Sequence, residues 1–208
     1  MGAPNQYMEH ITEPAYPPET REEVLSWLPE IEDINDEELR EQVLGVFYDV
    51  PDYFWHAPAA SRHHPPEHRA RHGLVLHTKR VCTAFERVAK SMVKQNHLTW
   101  ADIDEGRAAC LLHDTFKYGM PPTAVDNTSS SHDVIAANFL RENTQLSDAI
   151  CDAVEAHNGA WYNGKVPTSH LEQMVHVADL AASDENARYA VKAPNMTLRE
   201  KFPRVEER

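Results

Sequence analysis

The chain has 208 residues and a mass of 23.7 kDa, with 41% apolar and 25% charged residues. That suits one folded domain and excludes global disorder or a disulfide-stapled miniprotein. The net charge of -13 is uneven: residues 1–49 hold 13 acids and 2 bases, whereas eight bases face two acids between Arg62 and Lys94. The division argues against a general nucleic-acid coat protein but leaves room for a local phosphate site.

Residues 1–20 carry four prolines and little periodicity, so they read as a loose arm. Asp36 to Tyr48 reads as a helix with Leu39, Val43, Leu44 and Phe47 on one face, ended by Pro51. PDYFWHAPAASRHHPP, residues 51–66, is an aromatic- and proline-rich loop expected to pack. A long helix is expected over about residues 68–95, with Leu74, His77, Val81, Phe85, Val88 and Met92 as its inner stripe. Thr99 can cap the next helix, which is expected to reach about Asp114. Serines before His132 can cap a helix to about Glu142. Ser147 opens another, stopped by Asn158-Gly159. Ser169 and Glu172 form a capping box for a last helix carrying Leu171, Val175, Ala178, Asp179 and Ala182. No strand alternation stands out. The expected fold is all-α, with five or six core helices in one bundle. The expected divisions are an acidic arm and helix over 1–50, the bundle over 51–185 and a tail over 186–208.

The three cysteines, Cys82, Cys110 and Cys151, have neither zinc-knuckle nor disulfide spacing. They read as buried thiols of a reducing, cytoplasmic protein. The longest unbroken apolar run is Ala108 to Leu112. No segment is expected to span a membrane, and the N-terminus reads as no secretory signal.

Thirteen histidines are many for this length, and their placement carries the signal. His77, His113, His132 and His157 fall on inner stripes or at helix ends. Asp114 follows His113, and Asp179 sits inside an apolar helix, where a carboxylate is costly unless it is paired or binds a cation. Taken singly, each has an ordinary reading as a hydrogen-bonded core residue or a cap. Together they are spread over separate helices, and bundles build metal centres from ligands on facing helices.

The segments HGLVLHTKRV, LLHDTFKYG and VHVADLAAS resemble the HD-domain superfamily, whose order is His, His-Asp, Asp on helices. His132 in SSSHDVIAANFL and His157 in AVEAHNGAW match the two further histidines of its binuclear branch. By this resemblance His77, His113, Asp114 and Asp179 hold one metal, and Asp114 bridges to a second completed by His132 and His157. Lys117 matches the lysine of HD-x-x-K. APAASRHH followed by HGLVLHT also resembles the HD domain of bacterial 3′-to-5′ exoribonucleases. Those enzymes read GGLLEHT where this chain has HGLVLHT, preceded by Arg71.

The imidazole and carboxylate donors suit two divalent ions among Mn, Fe, Co, Ni and Zn. The implied activity is metal-dependent hydrolysis of a phosphate ester or phosphodiester in a phosphorylated small molecule, nucleotide or short nucleic acid. Asp114, Lys117 and His64 are the expected catalytic residues, with a histidine protonating the leaving group. Arg62, His63, His64 and Lys117 are the expected substrate contacts, while Arg69 and Arg71 read as solvated. Trp161 and Tyr162 could stack a base but are expected to close the core instead. A mixed-valent di-iron oxygenase of HD type and a non-catalytic HD binding module are the alternatives.

Overall fold

The structure is a computed structural model that describes residues 17–60, 64–122, 128–161 and 164–184. The described residues form seven α-helices, three short 3-10 turns and no strand. The helices are α1 (Arg21–Trp27), α2 (Glu37–Asp49), α3 (Gly73–Lys94), α4 (Trp100–Leu112), α5 (His132–Asn143), α6 (Asp148–Ala156) and α7 (His170–Ser183). Helices α3 to α7 make the bundle: α3 packs on α4 and α7, α6 packs on α4, α5 and α7, and α4 also touches α7. No helix of the described residues is long and apolar enough to cross a membrane.

The caps explain most boundaries. Thr99 and Asp102 close a reciprocal capping box at the start of α4. Asp36 and Ser147 each accept a backbone N–H at the starts of α2 and α6. At α7 the box is displaced: Ser169 accepts from the Glu172 N–H, but the Glu172 carboxylate accepts from Thr168, one residue before the cap. The serine expected to cap α5 makes no side-chain bond; Ser131 is the N-cap in position only.

Helix α3 starts at Gly73, later than its periodicity implies. Pro65 and Pro66 open a separate 3-10 turn over Pro66–Arg69, and His72 adopts a left-handed φ of 63°. The expected inner stripe of α3 holds at Leu74, His77, Val81 and Phe85, whereas Val88 is exposed and Met92 lies at the core's margin.

Residues 17–35 are packed onto the bundle. Thr20 and Glu23 form a capping box that starts α1. Val24, Leu28, Ile31 and Ile34 are fully buried, and the 3-10 turn Pro29–Asp33 lies on α4. Lys79 of α3, with no exposed surface, places its Nζ 2.6 Å from Glu30 Oε2 and 3.1 Å from the Trp27 carbonyl. Residues 1–16 and 185–208 lie outside the described residues, so of the arm expected over 1–20 only residues 17–20 are described, leading into the Thr20 cap, and the tail expected over 186–208 lies outside them.

Tyr53 ties the 51–58 segment to the turn after α4. Its hydroxyl donates to the Gly119 carbonyl at 2.9 Å and accepts from the Tyr118 N–H at 3.2 Å. The Tyr118 hydroxyl donates back to the Pro58 carbonyl at 2.6 Å. The Ser129 N–H donates to the Lys117 carbonyl, so the start of α5 is registered on the same turn. These bonds fix where His113, Asp114 and His132 face.

Candidate metal centre

Two clusters of nitrogen and oxygen atoms meet at Asp114. In the first, His77 Nε2 lies 3.0 Å from Asp179 Oδ1, 3.2 Å from His113 Nε2 and 3.5 Å from Asp114 Oδ2. His113 Nε2 lies 3.3 Å from the same Asp114 oxygen. In the second, His132 Nε2 lies 3.1 Å and His157 Nε2 3.5 Å from Asp114 Oδ1, and the two nitrogens are 3.2 Å apart. Asp114 thus gives one oxygen to each cluster. The ligand atoms of each triad, His77 with His113 and Asp179 and Asp114 with His132 and His157, lie within 4.8 Å of one another.

The backbone sets the ring tautomers. His113 Nδ1 donates to the Cys110 carbonyl at 2.8 Å, His132 Nδ1 to Ser129 at 2.7 Å, and His157 Nδ1 to Val154 at 2.6 Å. Each carbonyl lies three residues upstream, so the local helical turn itself aims the ring. A neutral imidazole whose proton is on Nδ1 presents a lone pair at Nε2. Three such lone pairs, together with Asp114 and Asp179, converge in a buried volume. Asp114 Oδ1 is buried and receives no hydrogen bond, although His132 Nε2 is close by. Two acceptors facing each other repel unless a proton or a cation lies between them. Such a donor set, all imidazole nitrogen and carboxylate oxygen, fits a divalent transition-metal ion in each cluster.

Burial acts on every group here, and charge decides the balance. Burial alone would raise the Asp114 carboxyl, but the Lys117 ammonium and His113 outweigh it and hold the group well below the carboxylate range. Asp179 is lowered in the same way by its contact with His77. Burial pushes His77 and His157 down. His113 is held up, because Asp114 outweighs its desolvation.

Lys117 is buried, with Nζ 2.5 Å from Asp114 Oδ2. It is a partner of the shared carboxylate, not a solvated helix-end cation. His64 is half-buried against His77, with ring centroids 5.1 Å apart. Burial and His77 push His64 down to about 3. A ring kept neutral by burial carries no acidic proton at neutral pH, which tells against the expected leaving-group acid. Arg62 and His63 lie outside the described residues, as does Tyr162. Arg69 and Arg71 are exposed. Trp161 is 67% exposed and does not close the core.

Three residues near the clusters escaped the sequence reading. Asn158 Nδ2 donates to His132 Nε2 at 3.1 Å. His68 and Arg80 are buried beside His77. Arg80 stands one helical turn after His77, and that spacing on α3 was the available signal.

A family model described as HD domain matches residues 74–184, more than half of the chain. The chain belongs to the HD-domain family. No curated protein and no solved structure matched it. HD domains bind divalent metals and are mostly metal-dependent hydrolases. The HD match takes in all six clustered residues and leaves out His64, His68 and everything from Pro17 to Gly73.

Proposed function

We propose that this HD domain is a binuclear metal-dependent phosphohydrolase that cleaves a phosphate ester or phosphodiester of a nucleotide or short nucleic acid. The observation that carries the reading is Asp114, whose two oxygens each face a separate set of lone pairs. His77, His113, Asp114 and Asp179 would hold one divalent ion, and Asp114, His132 and His157 the other. Two such ions acidify a water at neutral pH and neutralise charge on phosphoryl oxygens.

The chain's own residues do the rest. Lys117 keeps the shared carboxylate ionised and puts a point charge beside it, within reach of a phosphate oxygen. His64, whose ring lies against His77, would contact the substrate at the edge of the first cluster. Arg62 and His63, next to it in sequence, are proposed as further phosphate contacts. Trp161, four residues after His157, offers an exposed ring on which a base can stack. Three buried free thiols suit a reducing compartment.

The test is elemental analysis of the purified full chain prepared without chelator, followed by a phosphate-ester screen with Mn. About two ions per chain with ester turnover is the expected result. Two irons with oxygen uptake and no ester turnover would make the domain an oxygenase. No metal even after reconstitution would end the reading in favour of a non-catalytic module.

Two variants refine the proposal. Lys117→Ala is expected to lower kcat while both ions stay bound; equal loss of metal and turnover would make Lys117 structural. Trp161→Ala is expected to raise KM about tenfold for a nucleotide, from stacking worth ~1–3 kcal/mol, and to leave KM for p-nitrophenyl phosphate unchanged. Parallel changes for both substrates would remove base stacking from the account.

A further inference from the structure

The two clusters are unequal. His77, His113, Asp114 and Asp179 offer the first ion two imidazole nitrogens and two carboxylate oxygens. His132 and His157 offer the second ion two imidazoles, with the other oxygen of Asp114 as the one carboxylate oxygen. Among the described residues a further polar side chain stands at this second cluster. It belongs to Asn158, the residue after His157.

Its distance is that of a ligand. His132 Nε2, His157 Nε2 and Asp114 Oδ1 lie 3.1 to 3.5 Å apart. Atoms that share one cation at about 2.0–2.2 Å stand roughly 3–3.5 Å from one another. The end of the Asn158 carboxamide is 3.1 Å from His132 Nε2, within the same spacing. The backbone on either side of it is held. The His157 carbonyl accepts the Nδ1–H of His176, on α7, at 2.6 Å. Gly159 has a left-handed φ of 59° and packs on that same ring, where a Cβ would stand 2.7 Å from His176 Cε1. The Gly159 N–H donates to the Ala156 carbonyl at 2.9 Å, and the Trp161 N–H to the Asn158 carbonyl at 3.3 Å.

The amide atom next to His132 is Nδ2, and His132 is the reason. Its Nδ1 proton is committed to the Ser129 carbonyl, so Nε2 is an acceptor and calls for an N–H opposite it. That lone pair is also the one a cation would take. With the lone pair taken, an N–H aimed the same way would point at the cation, and the amide oxygen is the better neighbour. A half-turn about the terminal torsion of asparagine exchanges the two groups without leaving the two-fold well.

We propose that Asn158 Oδ1 is the fourth ligand of the second ion. The proposal rests on the binuclear reading above. Each ion then has two imidazoles and two oxygens, but the charges differ. The first ion faces two carboxylates, whereas the second faces the shared carboxylate and a neutral amide. A carboxylate in place of that amide adds attraction without moving the donor atom.

The experiment titrates the metal-free full chain with Co(II), following visible absorption and heat, with circular dichroism to check the fold. Wild type is expected to take two ions, and the step lost in His157→Ala identifies the second cluster. Asn158→Ala is expected to weaken that step at least as far as loss of an outer-shell partner does, about 10–100-fold, and to leave the other unchanged. Asn158→Asp keeps an oxygen in place but has no N–H to give His132, and it is expected to bind the second ion at least as tightly as wild type. It also keeps the test available if Asn158→Ala fails to fold. An unchanged second step in Asn158→Ala would overturn the proposal, as would equal weakening of both steps. Weakening in Asn158→Asp as deep as in Asn158→Ala would make the amide a hydrogen-bond donor to His132 and no ligand. Failure of wild type to take two Co(II) ions would instead remove the binuclear reading itself, so the two failures are distinguishable.

Discussion

Asp114→Asn is expected to abolish phosphate-ester turnover and to lower the metal content below two ions per chain, with the helical circular dichroism retained. Asparagine keeps the shape of the side chain but has one oxygen and one amide group. It can serve one cluster as an acceptor and presents N–H groups to the other, whereas the carboxylate serves both. Clamping phosphoryl oxygens between two cations is worth several kcal/mol in the transition state. At 1.36 kcal/mol per factor of ten, the loss is on the order of 10³-fold or more. The substitution also leaves the buried Lys117 ammonium without its carboxylate, which costs about 3–5 kcal/mol of stability. His132→Ala touches the second cluster and not Lys117, and it is expected to lose turnover with a smaller fall in Tm. Full activity in either variant would sink the binuclear mechanism.

A large effect on stability, away from the metal centre, is expected at Glu30. Glu30→Leu would leave the Lys79 ammonium desolvated in the core, because neither side chain of the pair has appreciable exposure. Breaking a buried ion pair from one side costs about 3–5 kcal/mol. For a domain of this size that is roughly 2–4 °C in Tm per kcal/mol, hence a fall of about 6–20 °C. Adding Lys79→Met is expected to recover most of the loss, since an apolar pair of similar volume often replaces a buried ion pair without penalty. Thermal melts of the single and double variants decide it. A single variant melting within about 2 °C of wild type would mean that the pair is solvated and that the turn carrying Glu30 is only loosely docked.

The six clustered residues were legible because they fall on inner stripes or at helix ends and follow one another in the order of the HD pattern. His77, Val81 and Phe85 share one stripe of α3, so the histidine's inward direction follows from its spacing. What spacing could not show is how Asp114 divides its oxygens, which depends on the turn held by Tyr53 and on α5 arriving beside it. The start of α3 was misplaced because apolar periodicity does not register a left-handed residue at His72 or a backbone contact as close as that at Gly73. Helix α1 went unread although Thr20 and Glu23 have capping-box spacing, since the prolines before them masked it. The sequence around Trp161 does not show whether its ring is covered, and its exposure is a tertiary fact. His68 and Arg80 are neighbours only once the Pro66–Arg69 turn folds onto α3.

The three cysteines stand on three helices of the bundle, Cys82 on α3, Cys110 on α4 and Cys151 on α6, and all are buried free thiols. Burial raises each thiol above its ordinary range, so none reacts while its helix stays in place. The molecule therefore carries three native chemical clocks. The rate at which an alkylating reagent captures each sulfur measures how often that helix leaves the bundle. Cys110 also supplies the carbonyl that aims His113, so the clock on α4 runs on the same backbone that holds the centre together.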